Sequence, residues 1–281
     1  MFGAALKAQR FQMLEDIARE LAGEIIFPTC FDTVLRLRKI LQDPNHSLAT
    51  IAKALSIEPL ISAKLLRMAN SVAYNPAGND VKDLQSAVSR LGLNTVRSAS
   101  MAIVMTQLLR AKGMAGFSDI TQSLWEHSVR TAAAAKVIAK AMTVLNPEEA
   151  MLAGLIHDLG AFYMLYRATQ YDDLRGRPDS MRYLIINWHE SIGVSLLGAL
   201  GLPEEIVEAS VDHDHPRPPP ETIRNYTDLI YVANMLGGGH FEWRMQDKPG
   251  PDDIVSELEA QYGHLLPEIE QLSAEMHASL S

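Results

Sequence analysis

The sequence has little of several features that define whole classes of protein. Its 281 residues include a single cysteine, Cys30, so no internal disulfide framework can form. Aromatic residues make up 6% of the chain, and no apolar run reaches the roughly 20 residues that a bilayer-spanning helix needs. The N-terminus has no basic segment followed by an apolar stretch and a small-residue cleavage site. These absences predict a cytoplasmic protein without a membrane segment.

Positive charge is also scarce. The chain has 25 lysines and arginines against 34 aspartates and glutamates, which gives a net charge of -9 at pH 7. An excess of carboxylates repels phosphate backbones and anionic lipids, so neither nucleic acid nor a membrane surface is expected as a partner. Hydrophobic residues, in contrast, make up 47% of the chain, which is ample material for a packed core.

Helical signals recur along the chain, whereas strand signals are few. Apolar residues keep helical spacing over 8–22, and helices are predicted to begin at Pro59 and after the capping residue Asn146. Gly92 and Gly160 are predicted to stop helices. The fold class predicted from these patterns is all-α, with two helical lobes.

The segment Lys112-Gly113-Met114-Ala115-Gly116 is the best candidate for a junction between the lobes. We therefore predict an N-terminal helix over 1–26, an N-terminal helical lobe over 27–116, a second helical lobe over 117–240 and a C-terminal helical extension over 241–281. Within the second lobe, the small side chains of residues 131–135 would let a neighbouring helix approach closely.

The positions of several histidines and one aspartate suggest a metal site. His157 and Asp158 are adjacent at the end of an apolar helix, where burying either group without a partner is costly. A metal ion removes that cost, and imidazole with carboxylate suits iron, manganese, nickel or zinc. His127 lies one predicted helix earlier, His189 one later, and His213 at the end of the next. Helical bundles assemble metal centres in this way. Each histidine taken alone is better explained as a hydrogen-bonded structural residue, whereas the His157–Asp158 pair favours a metal.

These segments resemble known families. Leu155-Ile156-His157-Asp158-Leu159-Gly160 resembles the signature of the HD metal-dependent phosphohydrolase superfamily. The surroundings of His127, the segment 188–193 and the segment 212–216 are similar to its other histidine motifs, including those of HD-GYP domains. The N-terminal half, with Leu65-Leu66-Arg67-Met68-Ala69-Asn70-Ser71 and Leu91-Gly92-Leu93, resembles an HDOD domain. The resemblance covers roughly residues 27–237.

The resemblance implies an HD-like helical bundle for the second lobe and a set of metal ligands in it. The implied ligands are His127, His157, Asp158, His189 and His213, with His215 and Asn234 as additional candidates. Glu190 is a candidate for orienting a ligand. Whether His213 or His215 faces the site is left open by the uncertain end of its helix. In catalytic HD proteins such residues hold one or two metals, which activate a water that attacks phosphorus.

The sequence departs from the family patterns at two places. Asn234 stands where an aspartate is common, and Asn brings no charge to a metal site. Ala161 stands where HD-GYP proteins have a lysine, and no Gly-Tyr-Pro follows the late histidines. The resemblance therefore implies a bacterial signal-transduction or regulatory module with a partly retained metal site, whose partner is a signalling protein or a small phosphorylated ligand. The alternative is a metal-dependent phosphohydrolase that acts on a nucleotide or another phosphoester.

Overall fold

The computed structural model describes residues 2–22, 40, 47–109, 113–215, 217–238 and 252–280. All regular elements within these residues are helical, which confirms the all-α class. The α-helices are α1 (Phe2–Ala22), α2 (Leu48–Leu55), α3 (Pro59–Ala69), α4 (Leu84–Leu91), α5 (Leu93–Leu109), α6 (Ser118–Met142), α7 (Pro147–Ile156), α8 (Leu159–Ala168), α9 (Pro178–Ala199), α10 (Glu204–Glu208), α11 (Tyr226–Gly237), α12 (Asp252–Tyr262) and α13 (Leu266–Leu280). Among these helices, none combines the length and the apolar character that crossing a membrane requires. Cys30 lies outside the described residues.

The chain divides into two compact units. The first unit consists of Met1–Ile26 and Leu109–Ala274, and the second consists of Phe27–Leu108 and Glu275–Ser281. The N-terminal helix α1 thus belongs to the same unit as the helices that carry the predicted metal ligands. The boundaries predicted at residues 26, 116 and 240 stay predictions.

The second unit contains α2, α3, α4 and all but the last residue of α5, and polar caps fix where two of these helices begin. The Ser47 hydroxyl accepts a hydrogen bond from the Thr50 amide at the start of α2, and the Asp83 carboxylate accepts one from the Ser86 amide at the start of α4. Asn70, which ends α3, both donates to and accepts from the backbone of Val81 at 2.8 Å. It therefore closes the loop between α3 and α4.

The first unit is organised around the long helix α6. The side chains of Ala132, Ala133, Ala134 and Ala135 are fully buried. A Cβ atom on Gly154 of α7 would lie 2.8 Å from the Ala132 Cα, so the two helices approach as closely as the small side chains allow. Helix α11 packs against both α6 and α7.

The prediction that Gly160 stops the helix that begins after Asn146 was wrong. Helix α7 ends at Ile156, His157 and Asp158 form a short break, and α8 begins at Leu159 with Gly160 inside it. A Cβ atom on Gly160 would lie 1.9 Å from the His189 carbonyl oxygen and 2.6 Å from the Gly193 nitrogen. Glycine is thus required because α8 and α9 touch there, and not because a helix ends there.

Helix α1 packs against α8 and α9 through two buried side chains and a set of polar contacts. Met13 and Ile17 are buried, while Glu20 accepts a hydrogen bond from the Tyr163 hydroxyl at 2.7 Å and forms an ion pair with Arg167. Arg167 is itself buried, so Glu20 supplies the opposite charge that a buried guanidinium needs.

Candidate metal centre

Five side chains from two helices, one helix break and one turn converge in the first unit. His127 lies on α6, His157 and Asp158 form the break between α7 and α8, His189 lies on α9, and His213 follows α10. We call these five residues the histidine–aspartate cluster. Each of them is at most 5% exposed.

The backbone fixes the orientation of three of the imidazole rings. The Nδ1 atom of His157 lies 2.8 Å from the Gly154 carbonyl oxygen, that of His189 lies 2.6 Å from the Ile185 oxygen, and that of His213 lies 2.8 Å from the Ser210 oxygen. Because a carbonyl oxygen can only accept, each Nδ1 carries a proton. In a neutral ring the lone pair is then on Nε2, the atom that faces the cluster.

Asp158 offers each carboxylate oxygen to a different pair of histidines. Its Oδ2 lies 3.2 Å from Nε2 of His157 and 3.8 Å from Nε2 of His127. Its Oδ1 lies 3.2 Å from Nε2 of His213 and 3.6 Å from Nε2 of His189. The cluster therefore consists of two donor groups that share Asp158, and each group could hold a metal ion. One group is completed by His127 and His157, and the other by His189 and His213.

The donor chemistry of the cluster fits a metal ion. Nε2 of His127 lies 3.1 Å from Nε2 of His157, and the same atoms of His189 and His213 lie 3.4 Å apart. Two nitrogen lone pairs at these distances repel each other unless a proton or a cation lies between them. Imidazole nitrogen with carboxylate oxygen is the donor set of many transition-metal sites.

The electrostatics of the cluster indicate an excess of negative charge on one side. Burial and the neighbouring His157 lower the pKa of His127 to about 4. Burial also opposes charge on His213, but Asp214 and Asp158 outweigh it and raise the pKa of His213 to about 10. In the absence of a cation, therefore, protons would gather on the His189–His213 side. A divalent cation would supply the same positive charge.

Asp214 is a further acidic residue at the cluster, and the sequence analysis did not single it out. Its Oδ2 lies 3.2 Å from Nε2 of His189, and its Oδ1 lies 3.6 Å from Nε2 of His213. Its neighbours His189 and His213 keep the pKa of Asp214 well below the ordinary value although burial opposes this. The only signal in the sequence is its place next to His213 within Asp212-His213-Asp214-His215.

The other candidates from the sequence lie in different surroundings. His213 belongs to the cluster, whereas the side chain of His215 is exposed and its Nδ1 contacts the Asp212 carboxylate at 2.8 Å. Asn234 on α11 is fully buried and donates from Nδ2 to the His213 carbonyl oxygen at 2.9 Å and to Asp214 at 3.1 Å. Glu190 is half-buried, and within the described residues it joins neither donor group.

Known structures support the fold of the whole chain. A structure from Shewanella amazonensis SB2B, described as a candidate metal-dependent phosphohydrolase, is 22% identical and matches with a TM-score of 0.69 over 98% of this chain and 100% of its own. An HDOD domain protein of unknown function from Geobacter sulfurreducens is 21% identical, with a TM-score of 0.58 over 93% of this chain and 97% of its own. A candidate signal transduction protein from Marinobacter aquaeolei VT8 is 17% identical, with a TM-score of 0.59 over 98% of this chain and 66% of its own.

A comparison with curated proteins gave no match. The HDOD domain family model, however, matches residues 27–216, which include His127, His157, Asp158, His189 and His213. This match covers well over half of the chain and joins the second unit with the cluster-bearing part of the first unit. The chain therefore belongs to the HDOD domain family.

Proposed function

We propose that this protein is a signal-transduction or regulatory module that binds a divalent metal ion in the histidine–aspartate cluster. The observation that carries the proposal is the fixed orientation of three imidazole rings, whose Nδ1 atoms donate to backbone carbonyls. Their Nε2 atoms consequently converge on the two oxygens of Asp158. Metal-binding histidines are typically held in this way.

Deep burial favours binding over turnover. His157 and Asp158 are each 1% exposed, so a phosphoester in solution has little access to an ion held between them. When bound, a divalent ion would balance the charge of Asp158 and polarise a phosphoryl oxygen that reached it. The protein's own residues hold the donors in place and exclude water around them.

The first experiment is elemental analysis of the purified full chain. We expect iron, manganese, nickel or zinc in near-stoichiometric amount in the wild-type protein and its loss in His157→Ala. His215→Ala is the matched control, because His215 is an exposed histidine outside the cluster. Absence of metal from the wild-type protein, even after incubation with each of these ions, would refute the proposal.

The proposed partner is a signalling protein or a small phosphorylated ligand, and the proposed location is the cytoplasm. A single cysteine is compatible with a reducing compartment, since no internal disulfide has to form. A phosphorylated ligand would raise the melting temperature of the metal-loaded chain more than that of the metal-free chain. The absence of a shift in both forms, measured with a panel of nucleotides, would favour a protein partner instead.

A second candidate, a metal-dependent phosphohydrolase, is supported by the two donor groups that share Asp158. If each group held an ion, the pair would supply charge stabilisation for the attacking and leaving oxygens in phosphoryl transfer. The two candidates differ in turnover, which a panel of phosphoesters with added Mn²⁺ measures. The regulatory proposal expects none. Hydrolysis that disappears in Asp158→Asn and persists in Asp212→Asn would establish the enzyme.

A further inference from the structure

We infer that Asp214 is a metal ligand, that Asn234 positions it, and that the two sides of the centre consequently bind metal with unequal strength. This inference rests on the proposed function, since it concerns the same metal centre. It assigns an additional carboxylate to the side formed by His189 and His213. The side formed by His127 and His157 has only the carboxylate that it shares, that of Asp158.

The position of Asp214 makes it a donor. Its Oδ2 lies as close to Nε2 of His189 as Asp158 lies to Nε2 of His157, at 3.2 Å in both cases. Its side chain is one-fifth exposed, whereas that of Asp158 is 2% exposed. Asp214 is therefore closer to solvent than Asp158 and can contact an arriving ion before Asp158 does.

Asn234 holds this carboxylate in place. Its side-chain nitrogen donates to two groups, the His213 carbonyl and Asp214 Oδ1, and both can only accept. The orientation of the amide is fixed by that requirement, so the nitrogen and not the oxygen faces Asp214. One fully buried side chain thus restrains the backbone of one donor and the carboxylate of the next.

The charge distribution follows from these contacts. The His189–His213 side has two carboxylates within reach of its imidazoles, from Asp158 and Asp214. The His127–His157 side has Asp158 Oδ2 alone among the described residues. A divalent cation is therefore bound first and more tightly on the His189–His213 side, and any second ion is bound more weakly.

The test is a titration of the metal-free full chain with Co²⁺, followed by visible absorption, which reports both affinity and ligand set. In Asp214→Asn we expect the first binding step to weaken by about 100-fold, with a changed spectrum, because a charged ligand is lost. In Asn234→Leu we expect a weakening of about 10- to 100-fold and a smaller metal-induced rise in melting temperature. Asp212→Asn is the matched control and should bind as the wild-type protein does.

Asp214→His keeps a metal-binding side chain at the same place. It should bind Co²⁺ more tightly than Asp214→Asn and with a spectrum of its own. The ligand assignment would be overturned if Asp214→His and Asp214→Asn lost the same amount of affinity for Co²⁺. It would also be overturned if Asp214→Asn had the same titration curve and spectrum as the wild-type chain. If Asn234→Leu lowers the stability of the metal-free chain but leaves the affinity unchanged, the positioning role is overturned. Failure of the wild-type chain to bind Co²⁺ would instead refute the proposed function.

Discussion

Among single residues, the histidines differ in the number of carboxylates they face. His127 lies 3.8 Å from one oxygen of Asp158, whereas His189 lies 3.6 Å from Asp158 and 3.2 Å from Asp214. Replacement of either ring removes one nitrogen donor, but the two losses fall on different sides of the centre. The difference between the two variants is therefore more informative than either alone.

We expect His189→Ala to weaken the first metal-binding step by about 100-fold and His127→Ala by less than about tenfold. The physical reason is that the first ion lies on the side with two carboxylates. Competition with a chelator of known affinity measures both constants. The reverse order of the two variants would contradict the unequal sides.

The residues of the centre could be predicted in part. An adjacent His157–Asp158 pair and one imidazole per helix indicated the donors, because burial forces such groups to find partners. Asp214 was missed because the direction of its side chain depends on the backbone of the turn. Asp212 adopts a left-handed conformation, with φ of 56°, and sequence spacing does not predict such a residue.

Among the helices, those with strong local signals were predicted well and those shaped by packing were not. Pro59 begins α3, and Asn146 caps α7 through its side-chain oxygen. The sequence does not predict α8, because a glycine after an apolar helix is typical of a helix end. Gly160 is required because α8 contacts α9 at this position. The sequence around Gly160 gives no signal of that contact, because α9 is remote in sequence.

The contact between α8 and α9 can be tested at Gly160. We expect Gly160→Ala to lower the free energy of unfolding by about 3 kcal/mol or more, because the added Cβ meets backbone atoms that cannot rotate away. Urea unfolding of the metal-free chain measures this change. Gly198→Ala is the control, since nothing lies within 4 Å of its Cβ and alanine favours the helix by roughly 0.5–1 kcal/mol. Equal effects in both variants would contradict the close contact.

The attachment of α1 depends on Glu20. We expect Glu20→Gln to lower the free energy of unfolding by about 3 kcal/mol, because buried Arg167 loses its carboxylate partner. Glu15→Gln on the same helix changes an exposed residue and should alter stability by less than about 0.5 kcal/mol. Chemical denaturation followed by circular dichroism compares the two. A Glu20 variant as stable as the Glu15 control would show that the ion pair contributes little.

For the molecule as a whole, stability should fall at alkaline pH. Burial and the hydrogen bond to Glu20 raise the pKa of Tyr163 to about 12, and burial and the hydrogen bond to Asp16 raise the pKa of Tyr171 to about 12. The ordinary value is 10.0. A phenol with a raised pKa stabilises the fold fully below pH 10, and this contribution disappears as the pH rises from 10 through 12.

Urea unfolding between pH 9 and pH 12 measures this dependence. The free energy of unfolding of Tyr163→Phe should decrease less steeply over that range than that of the wild-type chain. Tyr183→Phe, which changes an exposed tyrosine on α9, should follow the wild-type curve. Identical slopes in all three proteins would show that ionisation of Tyr163 is not linked to unfolding.

The first unit is interrupted in sequence by the second, and this arrangement affects the order in which the protein can form during synthesis. Helix α1 leaves the ribosome before α8 and α9, and its contacts on these helices come from residues near 163 and beyond. At translation rates of about 5–20 residues per second, Met13 and Ile17 stay uncovered for on the order of 10 s. During that interval the nascent chain presents an apolar helix face on which a chaperone can act.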